Sequence, residues 1–198
     1  MYQDKEISMW ILDNITNKYG FVGQVSKILS EINSFGQMWL VILIVLLIYE
    51  FKKNKKFNFN LLLSIVPVLL MWILCEYGIK NWVNRPRPYQ EIEGFLTYID
   101  SINYKHPSGA SFPSGHTLVA FASAFIISCY DKKYLPYAYI IATLVALSRL
   151  ILGAHYLSDI FAGIGLGTVG GSLGVVFGKF FGQKLDKKVY KEKNNEAW

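Results

Sequence analysis

At 198 residues the chain has the length of one domain, with 17% of its residues charged and 53% hydrophobic and a mean hydropathy of +0.29. That balance belongs to a protein built into a membrane and excludes both an ordinary soluble domain and a disordered chain. The formal net charge of +6 does not point to nucleic acid, because the lysines cluster just outside apolar runs instead of interleaving with aromatics.

The first 34 residues are mixed and polar, so no cleavable leader is expected. Their apolar positions Trp10, Ile11, Ile15, Val22, Val25, Ile28, Leu29 and Ile32, with a break at Gly20 and Gly23, predict one or two amphipathic helices. Such helices lie at the membrane interface or pack on other protein. Met38 to Tyr49, extended by Phe35 and Phe51, reaches the ~17-residue lower limit for a span. Leu61 to Ile79 is a second span, holding Pro67 and ending in Glu76 and Lys80; it carries Cys75 in an apolar setting, as the next carries Cys129. Free thiols behave there as small hydrophobes.

Ser114 to Tyr130, Leu135 to Leu152 and Tyr156 to Phe181 read as three more spans. The expected fold is all-α: an integral membrane helical bundle of about five transmembrane helices plus N-terminal amphipathic helices, one domain over residues 1–198. In the last span Gly163, Gly167 and Gly171 form one four-residue series, and Gly170, Gly174, Gly178 and Gly182 another. Both predict close helix packing, within the bundle or between protomers. Residues 81–112 form a long polar connection, of the kind that is functional or disordered, and 182–198 a basic tail.

Alternation across the bilayer puts the end of the second span, the start of the third, the end of the fourth and the start of the fifth on one side. The polar clusters fall there: Lys80 with Arg85 and Arg87, Ser114 with His116, Ser148 with Arg149, and His155 with Asp159. Lys80, Arg87 and Arg149 call for an anion, and phosphate suits planar guanidinium forks. Ser114 at a helix start, followed by Gly115, offers a hydroxyl cap and exposed backbone N–H groups to the same anion. If the fifth span is helical from about Tyr156, His155 and Asp159 share a face, and the carboxylate can orient the ring. His155 is then the candidate nucleophile and His116 the candidate acid. His106, the third histidine, reads as a loop residue. Asp159 is the only acid in these clusters and the cations already neutralise charge, so no catalytic metal and no cofactor are expected.

Lys80-x6-Arg87-Pro88, Pro113-Ser114-Gly115-His116 and Ser148-Arg149-x5-His155-x3-Asp159 together resemble the three-part signature of the type 2 phosphatidic acid phosphatase superfamily at all eleven fixed positions. Arg85-Pro86 is a second Arg-Pro pair, but only Arg87 has the signature's spacing from Lys80. The resemblance implies a phosphohistidine on His155, formed with help from Asp159. It further implies that His116 protonates the leaving group and then activates water, and that Lys80, Arg87, Ser114, Gly115 and Arg149 hold the phosphoryl oxygens without a metal. The implied substrate is a lipid phosphate or diphosphate in the bilayer. Undecaprenyl diphosphate is favoured, although many such phosphatases carry Asp where this chain has Gly115. Phosphatidylglycerophosphate or phosphatidic acid is the alternative, and a non-catalytic lipid-phosphate carrier a more remote one.

One face of the five-span plan carries twelve of the twenty Lys and Arg residues, from Lys52 and its neighbours through Lys132 and Lys133 to the tail. Basic loops stay in the cytoplasm. The expectation is a multi-pass cell-membrane protein with a cytoplasmic C-terminus and an extracytoplasmic active site and 81–112 segment. The sequence leaves the oligomeric state open.

Overall fold

The computed structural model describes residues 2–105 and 107–195, without the side chains of Phe35, Asp186, Lys188, Tyr190 and residues 191–195. His106 and the last residues of the basic tail therefore lie outside the described residues. Every regular element among the described residues is helical. In chain order these are α1 (Tyr2–Ile11), α2 (Gly20–Ile32), α3 (Gln37–Asn54), α4 (Phe59–Leu63), α5 (Ile65–Ile73), α6 (Lys80–Val83), α7 (Pro88–Glu91), α8 (Phe95–Ser101), α9 (Gly115–Tyr130), α10 (Leu135–Ile151) and α11 (Leu157–Asn195). Wider π-helical turns continue α1 over Leu12–Thr16 and link α5 to α6 over Leu74–Ile79.

Local chemistry accounts for several boundaries. Ser114 caps α9 by accepting from Thr117 N, and Pro136 opens α10, where a missing N–H costs nothing. The helix interrupts at Ser64 because Pro67, three residues on, has no N–H for the carbonyl of Leu63. α3 ends on Lys52 and Lys53, cations that suit the carbonyl end of a helix.

The chain is an all-α membrane bundle, but its spans are less uniform than the sequence predicts. Phe59–Glu91, Lys132–Ile151 and Leu157–Leu185 are each long and apolar enough to cross a bilayer. A fourth crossing exists if α2 and α3, bent by 60° between them, count as one. α9, expected as a full span, has 16 residues and is ~24 Å long, short of the ~30 Å hydrocarbon core. It occupies the centre of the bundle, packed on α10 and α11 and buried on nearly every side, so lipid contact does not set its length. Large apolar side chains on the outer helices face outward instead, such as Val41 and Val45 on α3, Ile140 on α10 and Val176 on α11. Polar and charged side chains, including Lys80, Arg87, Arg149, His155 and Asp159, are inside. That inversion suits a lipid surround.

The two glycine series of α11 meet two different neighbours. A Cβ at Gly163, Gly167 or Gly171 would strike the backbone or first side-chain atoms of α9, and one at Gly174, Gly178 or Gly182 would strike α4 and Ser64. The close packing is therefore within the bundle. α2 buries its small side chains: Gly23, Ser26 and Ser30 pack inward, while Phe21, Val25, Ile28 and Ile32 are exposed. Small side chains let α2 lie close on α10, and its large apolar ones are left for the surroundings.

Candidate active site

Backbone bonds join three distant stretches before any site residue is placed. Tyr89 N donates to the Gly153 carbonyl at 3.0 Å, Ser111 N to that of Arg85 at 2.8 Å, and Ser114 N to that of Asp159 at 3.1 Å. The 81–112 segment, the start of α9 and the turn between α10 and α11 thus form one unit. Within that turn Ala154 N and His155 N both donate to the carbonyl of Arg149, at 3.0 and 3.3 Å. Gly153 makes the turn possible, with a φ of +58° and the Phe95 ring where a side chain would stand.

This unit walls a cavity of about 490 Å³ lined by Lys80, Arg87, Gly115, His116, Arg149 and His155. Six of the eight predicted site residues are brought together. Ser114 and Asp159 lie behind the wall, fully buried. The structure adds Glu76, Ser30 and Tyr104 to the lining.

Each cation is held by defined partners. Arg87 donates to four backbone carbonyls, those of Ser108, Gly109, Ala110 and Ala154, at 2.9 to 3.0 Å, and its Nη1 stands 3.4 Å from His155 Nε2. Such a guanidinium cannot swing away. Arg149 reaches Tyr104 Oη at 2.8 Å and also contacts Ser30 Oγ through Nη1, while its buried Nε lacks a protein partner. Lys80 Nζ is held by both oxygens of Glu76, at 2.7 and 2.8 Å.

His155 is 2% exposed, with Nδ1 turned to Asp159 Oδ2 at 3.6 Å. The pair does not arise as two residues of one helix: α11 starts at Leu157, so Asp159 in its first turn reaches back to a residue in the preceding turn. Asp159 Oδ2 also accepts from Tyr156 N at 2.8 Å, which fixes the carboxylate against the turn. Burial, and then the charges of Arg87, Arg149 and Lys80, hold His155 well below the ordinary imidazole value of 6.5. Arg87 Nη1 can only donate, so the Nε2 beside it is the unprotonated nitrogen of a neutral ring, with the proton on Nδ1 toward the Asp159 carboxylate but short of a hydrogen bond to it. The arrangement can cradle a compact anion and present a nitrogen nucleophile to it.

Several of these partners carry little or no signal in the sequence. Glu76 and Lys80 have the four-residue spacing of a helical ion pair, a signal that was available. Ser30 and Tyr104 carry none, since they reach Arg149 across 119 and 45 residues of chain. Arg85, which lacks the signature's spacing from Lys80, donates to Asp159 at 2.7 Å.

Fold and site together define a helical membrane protein with a basic, histidine-bearing cavity where the ends of its helices converge. Residues 61–181 match the sequence pattern of the PAP2 superfamily, and the chain belongs to that family. It is similar to phosphatidylglycerophosphatase B of Bacillus subtilis, with 33% identity over 102 residues, 46% of this chain and 45% of the relative. It is also similar to an undecaprenyl-diphosphatase of Sulfolobus acidocaldarius, with 25% identity over 151 residues, 76% of this chain and 69% of the relative. The matched stretch thus spans from under half to about two thirds of these curated relatives. The crystal structure of a PAP2-type phosphatidylglycerolphosphate phosphatase from Bacillus subtilis shares the fold, with a TM-score of 0.68 at 24% identity over 92% of this chain and 86% of that one.

Proposed function

We propose that this chain is a metal-independent membrane lipid phosphatase that removes a terminal phosphate from a lipid phosphate or diphosphate, with undecaprenyl diphosphate as the favoured substrate. The observation that carries the reading is the basic cavity with His155 backed by Asp159. In the proposed reaction His155 Nε2 attacks phosphorus, an N–P bond forms and the P–O bond to the lipid breaks. The leaving oxygen takes a proton from His116, which burial and the cavity's cations hold below the ordinary imidazole range and which therefore keeps that proton only with the negative charge of the phosphate beside it. Water, giving its proton to His116, then attacks phosphorus and breaks the P–N bond, releasing phosphate and neutral imidazole. Lys80, Arg87 and Arg149 bring three positive charges to the phosphoryl oxygens, and the first turn of α9 at Gly115, capped from behind the wall by Ser114, offers them backbone N–H groups, so the charge a metal would neutralise already has three cations facing it.

A lipid substrate is favoured by a second cavity. An apolar groove of about 360 Å³ runs between α3, α5 and α9, lined by Leu43, Val68 and Ile126 among others, and it shares Gly36, Trp72 and Val119 with the basic cavity. The shared wall lets a phosphate in one lie beside an acyl or prenyl chain in the other. The lysine distribution supports an outward-facing site and a cytoplasmic C-terminus. Phosphatidylglycerophosphate or phosphatidic acid is the alternative substrate, favoured by the likeness to phosphatidylglycerophosphatase B and by Gly115.

The test is phosphate release by detergent-purified protein from undecaprenyl diphosphate, phosphatidylglycerophosphate, phosphatidic acid and a soluble phosphomonoester, in EDTA, with His155→Ala alongside. Release from lipid by the wild type alone is expected. Lipid binding without release by the wild type would make the protein a carrier. Activity in His155→Ala or an absolute Mg²⁺ requirement would overturn the mechanism.

A further inference from the structure

We propose that Arg85 is a positioning residue for Asp159, and through it for His155, and that Asp4 of α1 holds Arg85 in that place. The inference rests on the reading of His155 and Asp159 as the reacting pair and assigns work to two residues that are not among the eleven fixed positions of the three motifs.

Arg85 Nη1 donates to Asp159 Oδ1 and to Ser158 Oγ, both at 2.7 Å, and its Nη2 donates to Asp4 Oδ2 at 2.9 Å. The guanidinium lies over the Tyr156 ring, 4.0 Å from its centroid. Asp4 also receives Ser158 N at 3.1 Å and Ser158 Oγ at 2.6 Å, so it caps the first turn of α11 while bridging to Arg85. Burial works against the charge on Asp4, but the bonds from Ser158 and Arg85 outweigh it and hold the carboxyl below its ordinary range.

The two carboxylate oxygens of Asp159 have separate tasks. Oδ2 meets Tyr156 N and faces His155 Nδ1, while Oδ1 is bonded to Arg85. Both ends being fixed, the carboxylate cannot rotate away from the imidazole. Asp159 is fully buried, and a buried carboxylate needs a partner charge. The cations lining the cavity are committed elsewhere: Lys80 to Glu76, Arg87 to four carbonyls, and Arg149 to Tyr104 and Ser30. Arg85 is the described cation that bonds Asp159. Two arginines separated by one proline thus divide the site, Arg87 on the side of the anion and Arg85 behind the nucleophile. α1 belongs to the catalytic unit through Asp4, and its Lys5 pairs at 3.0 Å with Glu91, the acceptor for Tyr156 Oη.

The test is a set of double-mutant cycles on the lipid that the wild type hydrolyses fastest, with Arg85→Ala, Arg85→Lys and Asp4→Asn each made alone and with Asp159→Asn. Arg85→Ala should lower kcat by about 10- to 100-fold, as loss of outer partners does elsewhere, with KM changed by less than about threefold. Arg85→Lys should recover part of the loss and Asp4→Asn should fall between. In the Asp159→Asn background each change should cost less than about threefold more, because residues acting through one another are not additive. A wild-type kcat in Arg85→Ala, or a full additional loss in Asp159→Asn, would reduce Arg85 to a brace between α1 and α11 and overturn the proposal. Should Arg85→Ala fail to fold, Arg85→Lys and Asp4→Asn complete the cycles. Wild-type activity in Asp159→Asn by itself would instead refute the reading of the reacting pair.

Discussion

Glu76 and Lys80 stand one helical turn apart and are bonded to each other inside the basic cavity, at 2.7 and 2.8 Å. Glu76 also fills the space that a side chain at Gly115 would need. A phosphate entering the cavity competes with this carboxylate for Lys80 and meets its negative charge. Glu76→Gln should therefore tighten inhibition by vanadate, which resembles the five-coordinate phosphoryl species, by about 1 kcal/mol or roughly fivefold. A Ki unchanged or raised would contradict that competition.

His116 lies in the first turn of α9, just inside the Ser114 cap, and faces the cavity. As the proposed proton donor it would matter most where the leaving oxygen is a poor leaving group. His116→Ala should lower lipid hydrolysis by about 10²- to 10⁴-fold. The burst of nitrophenol from an activated nitrophenyl phosphate should lose far less, because that oxygen departs without a proton. Equal losses with both substrates would remove His116 from the acid role.

Burial and the neighbouring charges of Arg87, Arg149 and Lys80 place His155 below the ordinary imidazole range. The folded protein then binds this proton less readily than the unfolded chain, whose histidines titrate near ~6.5. The resulting stability is present above that pH and declines as pH falls below it. In NMR of ¹³C-histidine protein, the resonance lost in His155→Asn should stay unshifted as pH is lowered through ~6.5. A midpoint at or above that value would contradict a neutral nucleophile.

Gly167 of α11 packs on the Leu118 carbonyl and, at 3.2 Å from an added Cβ, on Ala122 N, while Gly165 on the same helix meets nothing within 4 Å. Gly167→Ala should lower stability by about 1 to 3 kcal/mol through overpacking against rigid backbone. Gly165→Ala should be neutral or stabilising, since alanine favours the helix. Thermal unfolding of the two variants in one detergent separates them, and the reverse order would refute the helix contact.

The proposed topology is open to labelling with a membrane-impermeant maleimide. Cys75 is buried and Cys129 exposed, so Cys129→Ser removes the native background. A cysteine placed at Ser101, in the 81–112 segment, should react in intact cells, and one at Asn194 should not. The opposite pattern would turn the site to the cytoplasm and its substrate to the inner leaflet.

Much of this protein is legible in local pattern. Hydropathy marks the apolar helices, the spacing of Gly163 to Gly182 marks two packing strips, and three short motifs, carrying Lys80 and Arg87, Ser114 and His116, and Arg149, His155 and Asp159, mark the proposed phosphate site. Each helix, strip or motif is a property of residues near one another in the chain. Tertiary structure decided what depends on distant contacts: Arg85 on Asp159, Asp4 on Arg85, Ser30 and Tyr104 on Arg149. It also decided which face of α2 turns inward, and that α9 is a short helix surrounded by protein. In a bilayer both lipid and protein accept large apolar side chains, so hydropathy places a helix in the membrane but does not orient it, and only close packing of small residues chooses the buried face.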